Sequence, residues 1–508
     1  MLPRAVPRAF EFPALLFYIL LAALSAAICT QVNVRLGLTP HTAMVGVIAA
    51  MALGRQFTYF ASTERQVLVE TATSAGGFAG ANISLVGLAI LYQMKLTHLT
   101  MPLLTGMILG MAADIWFAYR LFDTSLYPAS GAWPDGEAIG QMILAGDEGG
   151  ARARRLVEGI VAGILGGLLG VPMAGIGIAF IGNPWALTAL GFGLMARGWS
   201  GPLLHIDWEH NFIPHGVMIG AALVQTAQTF VLMRRQSAER AAAGPASATR
   251  KSEGMSSHLL AFFACASVMA GLARLDHMMP WSQLLLWLVY AAVAAQLHTL
   301  IVGYSAMMSG WFPSFAVATA FLLIGLLMRF PPTALALLTG FILSTGPQFA
   351  DMGYDLKSGW IVRGRGADPA REAEGRFQQF LLQQVGAIVG IVLAAVVAGV
   401  YFRSGLIPPM SKIFATTSSM VLTSAHVRVL GEAALFGAIL QLAGGPGRAL
   451  GILFATGLLI VSPWYGVALL GALVVRRIIG TERMAVRAPG LIAGDGLLHF
   501  GEALLRMF

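Results

Sequence analysis

Long apolar runs alternate with short polar stretches along nearly the whole chain. Most runs reach or approach the roughly 20 residues that a membrane-spanning helix needs. A soluble fold cannot use so much uninterrupted apolar surface, so the pattern predicts an all-α polytopic membrane protein with about 14 to 16 transmembrane or half-membrane helices. Several runs are short or interrupted by Gly and Pro, which is why half-helices are counted with full spans. The runs lie near residues 13–30, 41–61, 65–93, 99–118, 154–174, 176–196, 211–233, 257–273, 281–303, 312–329, 333–348, 377–402, 431–445, 447–461, 463–479 and 488–505.

A polar stretch divides the chain near its middle. Residues 234–256 are small and charged and predict a linker between an N-terminal membrane half, residues 1–233, and a C-terminal half, residues 257–508. The heptapeptide LLTGMIL at residues 103–109 returns with one change as LLTGFIL at residues 337–343, close to half a chain length later. We therefore predict two related halves, a common transporter design in which the site lies between the halves.

Composition agrees with a membrane class. Of the 508 residues 57% are hydrophobic and only 11% are charged, against roughly 25% charged in soluble domains. The net charge of +8 comes mainly from Lys and Arg in loops, which the positive-inside rule explains better than nucleic-acid binding. The two cysteines, Cys29 and Cys265, both lie in apolar runs and offer neither a disulfide framework nor a thiolate metal site. The basic start followed by an apolar run predicts a first span that is retained.

Motifs for ATP-driven transport and for hydrolytic catalysis are absent from the sequence. It has no Walker-type phosphate loop, kinase signature, nucleophile elbow or paired-His zinc helix. We therefore expect neither an ATP-driven pump nor an enzyme, and no cofactor. Uphill movement of a solute would then draw on an ion gradient.

Ionisable residues inside apolar runs are costly and are default candidates for a site. Glu70 and Glu137 each adjoin a stretch rich in Gly and hydroxyl residues, and a protonatable carboxyl group at membrane depth can couple protons to a solute. For Asp114, Glu432 and Asp495 we favour the simpler interpretation of a residue at a helix end or an N-cap.

Gly76 and Gly77 fall midway through a long apolar run, between hydroxyl residues and Asn82. One interpretation is close helix packing, which small residues permit in lipid. The other is a broken helix whose polar backbone lines a cavity.

A group of His and acidic residues comes after another run. It contains His205, Asp207, Glu209, His210 and His215. The spacing does not fit a metal-binding helix, and Trp208 beside the group is typical of a membrane interface, so a solvated loop face is the favoured interpretation. The alternative function rests on this group: a membrane-embedded enzyme or lipid-handling protein. A passive channel is a third alternative, for which the sequence offers no filter motif.

Residues 351–360, DMGYDLKSGW, resemble an element of the oligopeptide transporter family that comes after a membrane helix. Gln378-Gln379 and Gln383-Gln384 then resemble that family's Gln-rich helix entry. Residues 71–77 resemble its Ser-Ala-Gly-Gly stretch. Residues 127–131, with Glu137 after them, resemble its Pro-Ser-Gly element.

Residues 488–496 resemble the family's closing segment, so the likeness spans nearly the whole chain. The Asn-Pro-Gly element of the eukaryotic peptide-transporting branch is missing, because Asn183-Pro184 is followed by Trp185, and residues 407–410 only partly match its Lys-Ile-Pro-Pro-Arg element. The compact chain is more similar to prokaryotic and yellow stripe-like members. The resemblance implies proton-coupled import of small peptides or peptide-like metal chelates.

Asp355 and Lys357 could have either of two roles in transport, or a purely structural role. They could form an ion pair that breaks during transport, or Lys357 could attract a substrate carboxylate. The simpler interpretation is a basic cytoplasmic loop in which the Asp caps a helix.

Together these observations predict a secondary active transporter, a symporter that works by alternating access in the cytoplasmic membrane of a prokaryote. Its expected partners are the small peptide or chelate, protons and the bilayer, with self-association left open. The predicted pathway residues are Glu70, Thr73, Ser74, Gly76, Gly77, Asn82, Tyr127, Ser130, Glu137, Ser305, Ser309, Asp351, Asp355 and Lys357.

Overall fold

The computed structural model describes most of the 508-residue chain and is mainly helical over the described residues. The described residues are 6–37, 46, 50, 60–124, 126–131, 133–144, 149–204, 213–242, 255–309, 314–420, 424–445, 448–459, 461–484 and 487–505. Over these residues there is no strand beyond an isolated bridge between Phe122 and Tyr127. The predicted all-α polytopic membrane class is confirmed.

The first half of the chain supplies nine α-helices to the described part. They are α1 (Ala14–Leu36), α2 (Thr63–Phe78), α3 (Val86–Gln93), α4 (Thr100–Leu121), α5 (Pro134–Leu144), α6 (Gly149–Leu168), α7 (Met173–Ile181), α8 (Pro184–Leu204) and α9 (Ile213–Ala242). A π-helical segment, Ala79–Leu85, joins α2 to α3 without a break, so that Thr63–Gln93 is one continuous rod.

The helices described in the second half begin after the predicted linker. They are α10 (Met255–Leu272), α11 (Trp281–Ser309), α12 (Ser314–Leu327), α13 (Pro332–Leu343), α14 (Pro347–Val362), α15 (Pro369–Arg403), α16 (Pro409–Ser418), α17 (Ser424–Gly444), α18 (Leu450–Leu459), α19 (Pro463–Ile479) and α20 (Arg487–Leu505).

Six described stretches are long and apolar enough to cross a membrane. Four more apolar helices are shorter, at 10–17 residues. The mixture accords with an interpretation of full spans together with half-helices. The six long stretches are Ala14–Arg35, Thr63–Gln93, Thr97–Leu121, Trp281–Tyr304, Pro332–Val362 and Pro369–Arg403.

The rod built from α2 and α3 and the broken helix built from α13 and α14 lie at the centre of the molecule. Helix α2 packs between α1 and α15, and α14 contacts α2, α4, α5, α11 and α15. Helix α2 and helix α14 are buried along nearly their whole length. Polar side chains on them therefore need partners inside the protein.

Gly76 and Gly77 lie within α2, so of the two interpretations the broken helix is wrong at these residues. A Cβ added at Gly76 would lie 2.5 Å from the Ala22 carbonyl oxygen of α1, and one added at Gly390 of α15 would meet the Gly76 carbonyl oxygen. Close packing of three helices explains the glycine at position 76. The irregularity begins three residues later, in the π segment, where an extra residue per turn is accommodated.

The helix that does break is the one formed by α13 and α14. Helix α13 ends at Leu343, and α14 begins at Pro347 after Gly346, whose φ is +84°. Proline has no backbone N–H and disfavours a helical conformation in the residue before it. The glycine accepts the left-handed conformation at little cost. The local sequence therefore accounts for the break.

Candidate functional site

Four polar side chains form one stripe along α14. Gln348, Asp351, Asp355 and Ser358 are spaced by three, four and three residues, which places them on one helix face. All four are at most 1% exposed. Uncompensated polar groups at this depth would cost several kcal/mol each, so their partners define the site.

Helix α2 faces the stripe with Glu70 and Ser74, also four residues apart. The Ser74 hydroxyl lies 2.6 Å from Asp351 Oδ1 and 3.2 Å from Asp355 Oδ2. The Ser358 hydroxyl lies within hydrogen-bonding distance of Glu70 Oε2. Glu70, Asp351 and Asp355 thus form one group, which we call the acid cluster.

Helix α15 closes the acid cluster with two glutamines on one face. Gln383 Nε2 donates to Asp351 Oδ2 at 2.8 Å and to Gln348 Oε1 at 3.0 Å. Gln379 Nε2 donates to the Asp355 carbonyl oxygen of α14. The amides hold α14 against α15 while leaving the carboxyl groups as the ionisable members of the site.

The acid cluster can hold and exchange a proton. The carboxyl groups of Asp355 and Glu70 are close neighbours. Two ionised carboxylates side by side repel each other, so the pair favours a proton on one of them. Ser74 and Ser358 each carry a hydroxyl that can donate or accept as that proton moves.

Lys357 leaves the stripe and points to the loop before α5. Its Nζ donates to the carbonyl oxygens of Ala129 and Gly131, both at 3.0 Å, and pairs with Glu137 Oε2 at 3.2 Å. The predicted elements at residues 127–131 and 351–360 therefore meet. Lys357 pairs with Glu137 and not with Asp355, because the two α14 residues lie on different faces of the helix. The interpretation of a loop is also wrong, since both residues belong to α14.

A network of ion pairs lies beyond Lys357, at the C-terminal end of α14 and the start of α15. Arg363 donates to both oxygens of Glu372, at 2.8 and 3.0 Å, and Arg376 pairs with the same carboxylate at 3.0 Å. Arg376 also pairs with Asp123 in the loop after α4. Two separate pairs lie at the starts of α15 and α2, Arg371 with Glu64 and Arg65 with Glu11. All of these residues together are called here the ion-pair belt.

Asp114 of α4 caps the broken helix from outside. Its Oδ2 accepts the backbone N–H groups of Gly346 and Phe349, both at 2.8 Å, and its Oδ1 accepts the Thr299 hydroxyl at 2.6 Å. The first N–H groups of a helix lack partners within the helix and carry partial positive charge. Asp114 lies inside α4 and is fully buried, so the favoured interpretation of a residue at a helix end or an N-cap is wrong. Its carboxylate instead binds the first N–H groups of a different helix.

Three other predicted pathway residues have structural partners. Thr73 donates to the Val69 carbonyl oxygen of its own helix at 2.7 Å. Asn82, in the π segment, accepts from Asn33 Nδ2 of α1 at 3.3 Å. Tyr127 is buried and donates to the Leu300 carbonyl oxygen at 2.8 Å. The Thr73 bond lies within α2, whereas the other two join α1 to the π segment and the loop before α5 to α11; none of the three involves the acid cluster.

The remaining predictions lie at the margins of the described structure. Ser130 is exposed in a turn. Ser305 and Ser309 lie in α11, but their side chains are outside the described residues.

The alternative site falls mostly outside the described residues. His205, Asp207, Glu209 and His210 are not among them, and His215 is buried in α9. In the part of the chain that the structure describes, no group of three His, Cys, Asp or Glu side chains could hold a metal ion.

Sequence reasoning missed Gln348, Ser358, Gln379 and Gln383 as members of the site. The signal was their spacing. Polar residues at intervals of three or four inside an apolar run mark one buried helix face. From the sequence, Gln379 and Gln383 are assigned only to a family-like motif.

No protein-family model matches this chain, and no curated protein matches it.

Proposed function

We propose that this chain is a proton-coupled secondary transporter that imports small peptides or peptide-like metal chelates by alternating access. The observation that carries the proposal is the acid cluster, three carboxyl groups buried between α2, α14 and α15. Ionisable groups at membrane depth are expensive and mark ion pathways and proton relays. A protein that needed only stability would gain more from apolar residues at these positions.

The broken helix supports alternating access. Transporters bind their solutes and coupling ions near discontinuous helices at the membrane midplane. Here the break at residues 344–346 leads directly into the helix that carries Asp351 and Asp355. A shift of α14 would move two of the three carboxyl groups relative to Glu70.

Contacts at the other end of α14 support a closed gate. Lys357 joins α14 to the loop before α5, and the ion-pair belt joins α15 to α2. These contacts must separate before a solute can pass between the helices at that end. Release of the proton from the acid cluster would accompany the separation.

The substrate class rests on the resemblance to the oligopeptide transporter family, closer to its prokaryotic and yellow stripe-like members. On that basis the protein resides in the cytoplasmic membrane of a prokaryote and works without a cofactor. The basic residues at the ends of α14 and α15 accord with a cytoplasmic location for that end.

The decisive experiment is uptake into proteoliposomes containing the full chain. Labelled di- to hexapeptides and iron chelates are offered with and without an imposed proton gradient, at a membrane potential clamped with potassium and valinomycin. We expect accumulation of at least one solute that requires the gradient. Glu70→Gln should remove the dependence on the gradient, whereas Glu432→Gln, at an exposed residue paired with Arg428, should not.

Two outcomes would contradict the proposal. Transport that ignores the gradient would indicate a passive channel, and no accumulation of any solute would exclude a transporter of this class. The alternative enzyme or lipid-handling function is tested by replacing His205, His210 and His215 together. Retained uptake in that variant would exclude the group from transport.

A further inference from the structure

A second polar crevice lies at the far end of α1, apart from the acid cluster. It is a narrow gap between α1, α7, α19 and α20 that has no room for a water molecule in this conformation. Its polar lining consists of Gln31, Arg35, Tyr465, Asp495 and His499. None of these residues belongs to the acid cluster, and Arg35 lies one residue before the end of α1, whereas Glu11 of the ion-pair belt lies before its start.

The lining is arranged as two stripes of side chains four residues apart. Gln31 and Arg35 share one face of α1, and Asp495 and His499 share one face of α20. Opposite charges thus face each other across the crevice. Within the described residues, Arg35 and Asp495 form no ion pair with each other, although each lies in the field of the other.

Several polar atoms of the crevice have no hydrogen-bond partner among the described residues. They are both amide atoms of Gln31, Arg35 Nε and Asp495 Oδ1. Gln31 and Asp495 are only 1% and 2% exposed. Buried polar groups are nearly always paired, and each unpaired one costs about 1–3 kcal/mol. A set of four around one space indicates that a ligand completes it.

Other contacts hold these groups in place. Asp495 Oδ2 accepts the Ala174 N–H at the start of α7, at 3.2 Å, while Oδ1 lies 3.6 Å from His499 Nδ1. His499 Nδ1 lies 2.8 Å from the Asp495 carbonyl oxygen and so carries the hydrogen, because a carbonyl only accepts. The Tyr465 hydroxyl bonds the Arg35 guanidinium. The charged heads are therefore preorganised.

We infer that this crevice binds a small molecule carrying both an ammonium and a carboxylate group, as amino acids and the ends of short peptides do. Arg35 would bind the carboxylate, for which a guanidinium is the best match. Asp495 Oδ1 would accept from the ammonium, and the Gln31 amide can serve either group. A bare metal ion is a poor occupant because Arg35 would repel it. The inference rests on the proposed function and assigns a recognition site for its substrate class.

Packing around α20 indicates how the crevice opens. A Cβ added at Gly163 of α6 would lie 2.5 Å from the Leu491 carbonyl oxygen, and Gly494 approaches the α6 backbone equally closely. Glycine contacts of this kind lock two helices together. Between α1 and α20 the close contact is Gly496 with the Ile28 side chain. On this inference, the closed crevice would admit its ligand by separation of α1 from the paired α6 and α20.

Equilibrium dialysis of the purified full chain in detergent tests the inference. The probe is radiolabelled alanyl-alanine, compared with its N-acetyl derivative and its C-terminal amide. We expect each modification to weaken binding to the unchanged protein by about 10- to 100-fold, since each removes one charge-assisted pair. In Asp495→Asn the acetyl group should cease to matter, while the amide still weakens binding. In Arg35→Gln the pattern should be reversed.

Arg274→Gln, at an exposed arginine paired with Asp276, should behave as the unchanged protein. Tyr465→Phe provides a milder change that keeps the charges and should weaken binding of the unmodified dipeptide while preserving both discriminations. Equal losses for all three probes in Asp495→Asn and Arg35→Gln, or unchanged discrimination in both, would overturn the inference. Terminus-specific binding without proton-driven uptake would overturn the proposed function alone, and uptake with unaltered discrimination would overturn the site alone.

Discussion

The acid cluster and the ion-pair belt both bury carboxylates, yet they compensate them differently. Glu372 in the belt is held between Arg363 and Arg376 by bonds of 2.8 to 3.0 Å. The Asp355 carboxyl group is hydrogen-bonded to the Ser74 hydroxyl and lies beside another acid, Glu70. A carboxylate between two guanidinium groups keeps its charge, whereas one among hydroxyl and carboxyl groups can change charge by moving a proton. The belt therefore fixes structure, and the cluster is suited to a cycle.

Asp355→Asn should have the largest effect on function. The amide keeps the size and most hydrogen bonds of the side chain but cannot release a proton. We expect gradient-driven uptake to fall on the order of 100-fold or more, as for loss of a positioned acid or base, with the unfolding temperature nearly unchanged. Proteoliposome uptake and thermal unfolding measure the two quantities. Normal gradient-driven uptake would remove Asp355 from the proton path.

Lys357→Ala should abolish uptake while leaving membrane abundance intact. The substitution removes the pair with Glu137 and the contacts to the Ala129 and Gly131 carbonyl oxygens, so α14 loses these polar contacts to the loop before α5. Uptake and immunoblotting of membranes test this. The matched control is Lys412→Ala, at an exposed lysine. If uptake in Lys357→Ala equals that of the control, the contact plays no part in transport.

Glu372→Gln should act on stability. Removing one partner from a buried ion pair costs about 3–5 kcal/mol because the remaining charges lose their compensation. We expect a clear fall in the unfolding temperature, with gradient dependence retained in the protein that stays folded. Glu374→Gln, two residues away and exposed, serves as the control. A loss of gradient dependence at full stability would abolish the distinction between belt and cluster.

Asp114→Asn should have the smallest effect of the four. The amide oxygen still accepts one backbone N–H, so we expect a loss of about 1–3 kcal/mol, the cost of a buried group left unsatisfied. The loss should be local. Hydrogen exchange should accelerate at Gly346 and Phe349, whose N–H groups the carboxylate binds. Unchanged exchange at both would show that the cap does not hold the break.

The helical membrane class and part of the site could be predicted from the sequence. Apolar length predicts spans. A charge inside an apolar run indicates Glu70, and the family-like element at residues 351–360 contains Asp351 and Asp355; the structure brings these three residues together. The partner of Lys357 could not be predicted from the sequence. In an α-helix with 3.6 residues per turn, Asp355 and Lys357 point to different sides, but this follows only once both residues are known to lie in a helix. The distance between Glu137 and Lys357 along the chain also hides their contact.

The repeated heptapeptide shows where local sequence decides and where it does not. Residues 103–109 continue through α4 to Leu121, whereas residues 337–343 end α13. The seven residues are nearly identical, so the difference comes from the residues after each copy, which in the second copy include Gly346 and Pro347. The copies also touch, since a Cβ added at Gly340 would lie 2.6 Å from Leu103 Cδ1. Whether they descend from one duplication stays a prediction.

The depth of Asp355 has an electrical consequence. A helical rise of 1.5 Å per residue places it about 10 Å from Val362, the last residue of α14. If α14 ends at the edge of a hydrocarbon core about 30 Å thick and Asp355 lies on the proposed proton path, a proton reaching it from that end crosses roughly a third of the transmembrane voltage, and one from the opposite end roughly two thirds. At about 2.3 kcal/mol per charge per 100 mV, the voltage alone would shift proton occupancy. Such a carrier would sense membrane potential at constant pH.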